Sequence, residues 1–342
     1  MEMHAEQILA IRIIELLGLP LSRVAYSVIS RSPLKNSGDS IHNKIVFRIS
    51  TESSTLFAKC FRLLSADSNK KLNLQIEFAE RLREQGINTP KYSRLGSSYV
   101  FLFQLNEITW GVVIETPVDG HSFCFSDRTV NQITELLAIC HAISEDRGFQ
   151  LPYQSEWYNF ETKNEIMRYD KFLSIPFEAL PKDLGVTASR IVNEGRILLN
   201  SANSTAENVI HAAVHGDFSE GNLLIGQGGL GLIDFDQAGN CCLISDLVLH
   251  AVHWSESINS NESEIEQTVF SCIKTYCSIR RITGLEERLI FQLYILSRAF
   301  YFKRVDKLLS LIKDGDNQHL QETNTVLAEI EHLLLSRSTF AD

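Results

Sequence analysis

Two short segments near the middle of the chain constrain it most: His215-Gly216-Asp217-Phe218-Ser219-Glu220-Gly221-Asn222 and Ile233-Asp234-Phe235-Asp236. The first sets an Asp and an Asn five residues apart. The second ends the apolar run Leu230-Gly231-Leu232-Ile233 on a carboxylate, and such a run reads as a short buried strand. Phosphoryl transfer from a nucleotide needs this set of groups. One Asp orients the attacking hydroxyl, while an Asn oxygen and a second Asp hold the magnesium that bridges the phosphates. Magnesium takes hard oxygen ligands and keeps several waters, so one or two side chains suffice. Gly, Asp, Ser and Asn are also what turns are made of. The agreement of the two halves, their spacing and the flanking apolar runs favours the chemical reading.

At 342 residues the chain is long enough for two lobes with a large core. Hydrophobic content of 44% and charged content of 22% are ordinary for a globular protein. No run of about 18 apolar residues occurs, so no membrane span is expected. Residues 1–19 are apolar but broken by Glu2, Glu6, Arg12 and Glu15, which reads as a surface helix and not as a secretory leader. Seven cysteines, an odd number without Cys-x-x-Cys pairs, suit a reducing, cytoplasmic setting. His250 and His253 lie three apart on a predicted helix, a spacing read as helix surface or core and not as zinc ligation.

Charge is informative when divided. Residues 1–115 hold 14 Lys and Arg against 11 Asp and Glu, a balance of +3, and residues 116–342 carry −13. Residues 201–250 contain six acids and no Lys or Arg. Nucleic acid is an unsuitable partner for so acidic a region.

Along the chain, residues 24–30, 44–50 and 55–61 read as strands, with the polar turn 36–43 between the first two. A helix is predicted over 69–85, ended by Gly86, with the apolar stripe Leu72, Ile76, Ala79 and Leu82. On that helix Gln75 falls at the edge of the inward stripe, and Glu77, Glu80 and Glu84 fall toward the outward side. Residues 100–104 and 110–114 are two more strands. From Asp246 onward the pattern is helical, most clearly over 285–301 and 320–335.

His215-Gly216-Asp217, Asn222, Ile233-Asp234-Phe235-Asp236, Ala238 and Asp246-Leu247 together resemble the motifs of the aminoglycoside phosphotransferase and choline kinase-like family, over roughly residues 25–255. The resemblance implies an α+β, two-lobed protein kinase-like fold. Residues 1–115 would form a small antiparallel-sheet lobe, with the N-terminal helix, that binds nucleotide. Residues 116–342 would form a larger, mainly helical lobe for catalysis and acceptor binding. It further implies ATP and Mg as cofactors, with Asp217 as the catalytic base and Asn222 and Asp234 as metal ligands. Lys59 would reach the phosphates, and the loop holding Gly38 would cover them. Glu115 and Pro117 would sit in a hinge, within residues 115–120, whose backbone holds the adenine edge. His215 would brace the loop, and His141 would be a packed structural residue. The family places a glutamate opposite the lysine; here either Gln75 substitutes for it or a helix shift brings Glu77 inward.

The implied reaction moves the γ-phosphate to a hydroxyl of a small molecule. The acidic balance suggests a cationic acceptor, such as an aminoglycoside-type antibiotic or an amino alcohol. The same motifs leave two alternatives, a protein Ser/Thr kinase of the same family and a nucleotide-binding pseudokinase. Against the first, Ser219 stands where protein kinases place a lysine, and no long activation segment follows Asp236. Nothing in the sequence sets the oligomeric state.

Overall fold

Local signals account for where the elements start and stop. The computed structural model describes residues 5–32, 44–105, 107–155, 167–314 and 317–335. The chain opens with α1 (Ala5–Leu16), followed by β1 (Ala25–Ser32), β2 (Lys44–Ser50) and β3 (Thr55–Leu63). Then come α2 (Ala66–Glu84), β4 (Val100–Leu105), β5 (Ile108–Glu115) and the two-residue β6 (His121–Ser122). Next are α3 (Asp127–Asp146), the short α4 (Tyr169–Leu173), α5 (Lys182–Ala206) and β7 (His211–Val214). The hairpin β8 (Leu223–Gly226) and β9 (Gly229–Leu232) leads to β10 (Gly239–Cys242). The described elements that follow are helices: α6 (Leu243–Ile258), α7 (Glu262–Ile279), α8 (Gly284–Ala299), α9 (Phe302–Asp314) and α10 (Asn317–Leu335).

Two compact units emerge. The first comprises Met1–Phe123 and Gly221–Asp236, the second Cys124–Glu220 and Gln237–Asp342. The division differs from a single cut after residue 115. β6 pairs with β8, and the amide of Leu232 in β9 donates to the carbonyl of Asn88 at 2.8 Å. Those backbone bonds tie the segment that carries Asp234 to the first unit.

In the first unit an antiparallel sheet of order β1-β2-β3-β5-β4 has two chemically different faces. Ala58 and Cys60 of β3 join Phe47, Ile49, Val112 and Ile114 in an apolar core closed by Leu9, Ala10 and Ile13 of α1. The alternating residues Lys59 and Phe61 look the other way, into a pocket shared with Leu72, Gln75 and Ile76 of α2. α2 is capped by Ser65, whose side chain accepts from the amide of Ser68. It stops at Gly86, where φ is +93° and the amides of Gly86 and Ile87 close back onto Arg83 and Leu82. The stripe Leu72, Ile76, Ala79 and Leu82 is buried throughout. Glu80 departs from its expected outward place. It is 8% exposed, because one carboxylate oxygen accepts from the amide of Tyr92 at 2.9 Å and the other from Arg83.

The second unit is built around α6. Twelve of its sixteen residues are buried, so it is central rather than amphipathic, and α7 and α8 pack on it. α3 packs against α7, and α5 against α8 and α10. β7 and β10 form a two-stranded ladder with Val214 opposite Gly239, which fixes the chain on entry to His215. Among the described residues no strand follows β10, and no helix is long and apolar enough to cross a membrane. All seven cysteines are free thiols.

Candidate active site

In the first unit, Lys59 is 7% exposed and its ammonium lies 3.1 Å from Glu115 Oε1 and 3.4 Å from Asp234 Oδ1. Lys44, at the start of β2, donates to both Asp234 oxygens at 2.8 Å and to Asp236 Oδ2 at 2.5 Å. Two ammonium groups thus face three carboxylates. Strand register explains the geometry. Lys44 stands opposite Phe61 and Val46 opposite Lys59, so the two lysines are diagonal neighbours on one face of the sheet. Asp234 follows β9 with φ at +66°, a left-handed conformation uncommon for a residue with a Cβ and concentrated at functional sites. The amide of Ile233 donates to the carbonyl of Asn222 at 2.9 Å, which holds the two segments of the motif side by side. Asn222 is buried.

Electrostatics follow from this crowding. Burial disfavours the Lys59 ammonium, yet Asp234 and Glu115 outweigh it and hold its pKa well above the ordinary lysine value. Lys44 is raised in the same way by Asp236 and Asp234. Burial works against the Asp234 carboxylate, but Lys59 and Lys44 prevail and hold it far below the usual carboxylate range. Burial and the charge of Asp234 push Asp236 up to about 6. The oxygen donors of Asn222, Asp234 and Asp236 fit magnesium, which accepts one or two carboxylates and leaves room for phosphate oxygens.

Gln75 is 1% exposed, and its Nε2 donates to the backbone carbonyl of Asp236 at 2.6 Å. Glu77 is half-buried. The carboxylates against Lys59 are Glu115 and Asp234. Pro117 is exposed, just beyond the end of β5. Gly38 lies outside the described residues.

The second unit carries Asp217 on a loop held by hydrogen bonds. The amide of Asp217 donates to His215 Nδ1 at 3.2 Å. The Phe218 ring is fully buried, its amide donates to His250 Nε2 at 2.9 Å, and its carbonyl accepts from Trp254 Nε1 at 3.0 Å. His250 Nδ1 donates in turn to the carbonyl of Asp246 at 2.7 Å, which fixes the tautomer. Burial lowers the His250 pKa against the pull of Asp246, so the ring is kept as a neutral acceptor. The Asp246 side chain pairs with His141 Nε2 at 3.1 Å, and His141 Nδ1 meets the Tyr276 hydroxyl at 2.9 Å. At Gly216, φ is +79° and a Cβ would fall 2.3 Å from Ser155 Oγ and 2.8 Å from the Gln237 carbonyl. Only glycine fits there.

Lys44, the Glu115 side chain, His250 and Trp254 were not singled out as site residues by the sequence. For the first two a signal exists, since strand alternation places both on the Lys59 face once the register is known. For His250 the signal is its position four residues after Asp246 on a helix buried on nearly every side.

The profile of the phosphotransferase enzyme family matches residues 36–267, more than half of the chain. No curated protein matches it. Among solved structures, an amicoumacin kinase in complex with AMP-PNP, Ca2+ and Ami is 13% identical with a TM-score of 0.59, covering 96% of each chain. A microcompartment-associated aminopropanol kinase is 13% identical with a TM-score of 0.58, over 92% of this chain and 93% of that one. An aminoglycoside phosphotransferase from Alicyclobacillus acidocaldarius is 13% identical with a TM-score of 0.52, over the same shares. At such identities the likeness speaks for the fold, which is the expected α+β, kinase-like one. With its family profile and fold in agreement, the chain belongs to the phosphotransferase enzyme family and is a small-molecule phosphotransferase.

Proposed function

We propose that the protein is an ATP- and magnesium-dependent kinase that moves the γ-phosphate to a hydroxyl of a small molecule. The observation that carries this reading is the cluster of Lys44, Lys59, Asp234 and Asp236, with Asn222 tied through its backbone to Ile233 next to Asp234. It combines ammonium groups suited to phosphate oxygens with oxygens suited to a divalent cation, which is the requirement of phosphoryl transfer. Lys59 grips the phosphates, and Asn222 and Asp234 hold the metal. Bound magnesium would neutralise charge on the phosphates. The backbone at Glu115 and Pro117 receives the adenine edge, and the hairpin loop with Gly38 covers the phosphates. Asp217 orients the acceptor hydroxyl and takes its proton. His215, His250 and Trp254 hold the Asp217 loop without joining the chemistry.

The acceptor is a cationic molecule, of the amino alcohol or amine-bearing antibiotic type. The −13 balance of residues 116–342 supports this, because surfaces of one sign concentrate ligands of the other and lose that advantage in salt. The names of an amicoumacin kinase and an aminopropanol kinase among the similar structures agree with it. The test is γ-phosphate transfer from ATP, with magnesium or with chelator, to a panel of amino alcohols, antibiotics and sugars at low and physiological salt. The expected result is magnesium-dependent transfer to an amine-bearing member, with a KM that rises with salt. A neutral or anionic acceptor, or a salt-indifferent KM, defeats the cationic reading; transfer without divalent metal defeats the cofactor assignment.

A further inference from the structure

We propose that Glu115, and not an acid on α2, is the charge partner that positions Lys59; the inference rests on the proposed phosphate role of that lysine. Phe57 stands opposite Glu115 and Lys59 opposite Val113 across the β3–β5 ladder. Lys59 and Glu115 are therefore diagonal neighbours on one face of one sheet. The ammonium lies 3.1 Å from Glu115 Oε1, and the two residues are 7% and 5% exposed. A carboxylate so withdrawn from water keeps its charge only beside a cation. The second Glu115 oxygen is buried with no hydrogen-bond partner among the described residues, so the interaction with Lys59 carries the satisfaction of this side chain.

Of the α2 residues that line the same pocket, Leu72, Gln75 and Ile76, the polar one is Gln75, and its amide donates to the backbone carbonyl of Asp236. The two tasks that one helix acid would combine are divided here. β5 supplies the charge, and α2 supplies a neutral tie to the segment that carries Asp234. The consequence is mechanical. A pair made between adjacent strands is held in register by the ladder, whereas a pair made to a helix depends on where that helix sits. Lys59 is set in place by the sheet itself, and Glu115 acts on the reaction through it as a positioning residue.

A double-mutant cycle on the full chain tests this, using Glu115→Gln, Lys59→Met and the double variant. Mg-AMP-PNP affinity is read by calorimetry, kcat and KM for ATP by steady-state kinetics, and melting temperature without ligand. Glu115→Gln should weaken nucleotide affinity and kcat/KM by roughly tenfold, as expected when a charge-assisted contact becomes a neutral one. The same change made on top of Lys59→Met should have no further effect. Losses that simply add across the two sites overturn the pairing. If Glu115→Gln folds poorly, the double variant, which removes both buried charges, should melt above either single variant; a double that melts no higher than the singles also overturns it. Unchanged nucleotide affinity in Lys59→Met would remove the phosphate role itself and leave the melting cycle to judge the pair, so the two failures are distinguishable.

Discussion

The two units hold their functional side chains in opposite ways. In the first, Lys44, Lys59, Asp234, Asp236 and Glu115 are held mainly by one another's charge, with three carboxylates against two ammonium groups. In the second, Asp217 sits on a loop fixed by directional hydrogen bonds, from its own amide to His215 and from Phe218 to His250 and Trp254. A charge cluster can exchange partners when phosphates and a metal arrive, because the attraction is not tied to one geometry. A hydrogen-bonded loop cannot do so without losing buried partners, and that rigidity suits a group that must be aimed. The difference teaches that one site is tuned by substituting charges and the other by disturbing shape.

The largest effect should come from Asp234→Ala. It should abolish Mg-AMP-PNP binding in calorimetry, since the metal loses a ligand and the phosphates lose their counter-ion. Folding should suffer little, because Lys44 and Lys59 then face Asp236 and Glu115 in balance. An unchanged affinity, or a collapse in melting temperature with binding retained, would break the contrast between the units. Asp217→Asn should come next, slowing transfer by about 10²–10⁴-fold while nucleotide affinity holds, as for a positioned general base. Steady-state rates beside a binding isotherm decide this, and a loss of affinity would make Asp217 a metal ligand or a structural residue.

Gly216→Ala should act on shape rather than charge. The added methyl meets Ser155 Oγ and the Gln237 carbonyl at a positive φ, so a destabilisation of roughly 2–4 kcal/mol is expected in denaturant unfolding. A stability equal to that of the parent chain would show that the loop can move.

The smallest effect is a pH dependence in the second unit. Burial, with help from His250 and Lys303, lowers the His253 pKa to about 4, and its Nδ1 is buried with no hydrogen-bond partner among the described residues. The unfolded chain therefore binds the extra proton first as pH falls from about 6.5 toward 4. Stability from this neutral ring is present above that window and is lost on descending through it. His253→Gln should flatten the pH–stability curve there by roughly 1–3 kcal/mol, the free-energy scale of such a shift. Parallel curves for the two proteins would count against a neutral His253 in the folded state.

Much of the local structure is legible in the sequence. The apolar stripe of α2, its end at Gly86 and the strand over Lys44–Ser50 follow from periodicity and from glycine's freedom at positive φ. Glu80 was not legible, because a helical wheel places it without showing that the amide of Tyr92, twelve residues on, needs an acceptor. In the sequence His250 is an ordinary helix histidine; its role comes from the Phe218 amide, which donates to it across 32 residues of chain.

The sequence by itself determined the strands of the first unit and α2, the order Asp217, Asn222, Asp234, and the family to which those residues belong. These are properties of short segments, where residue type and spacing act over a few turns or one strand. Only the tertiary structure decided which charge meets which. Lys59 and Glu115 are 56 residues apart, and Lys44 and Asp234 are 190 apart. Periodicity reports the face a side chain occupies, but strand register and burial select its partner, and these arise only when distant segments close on one another.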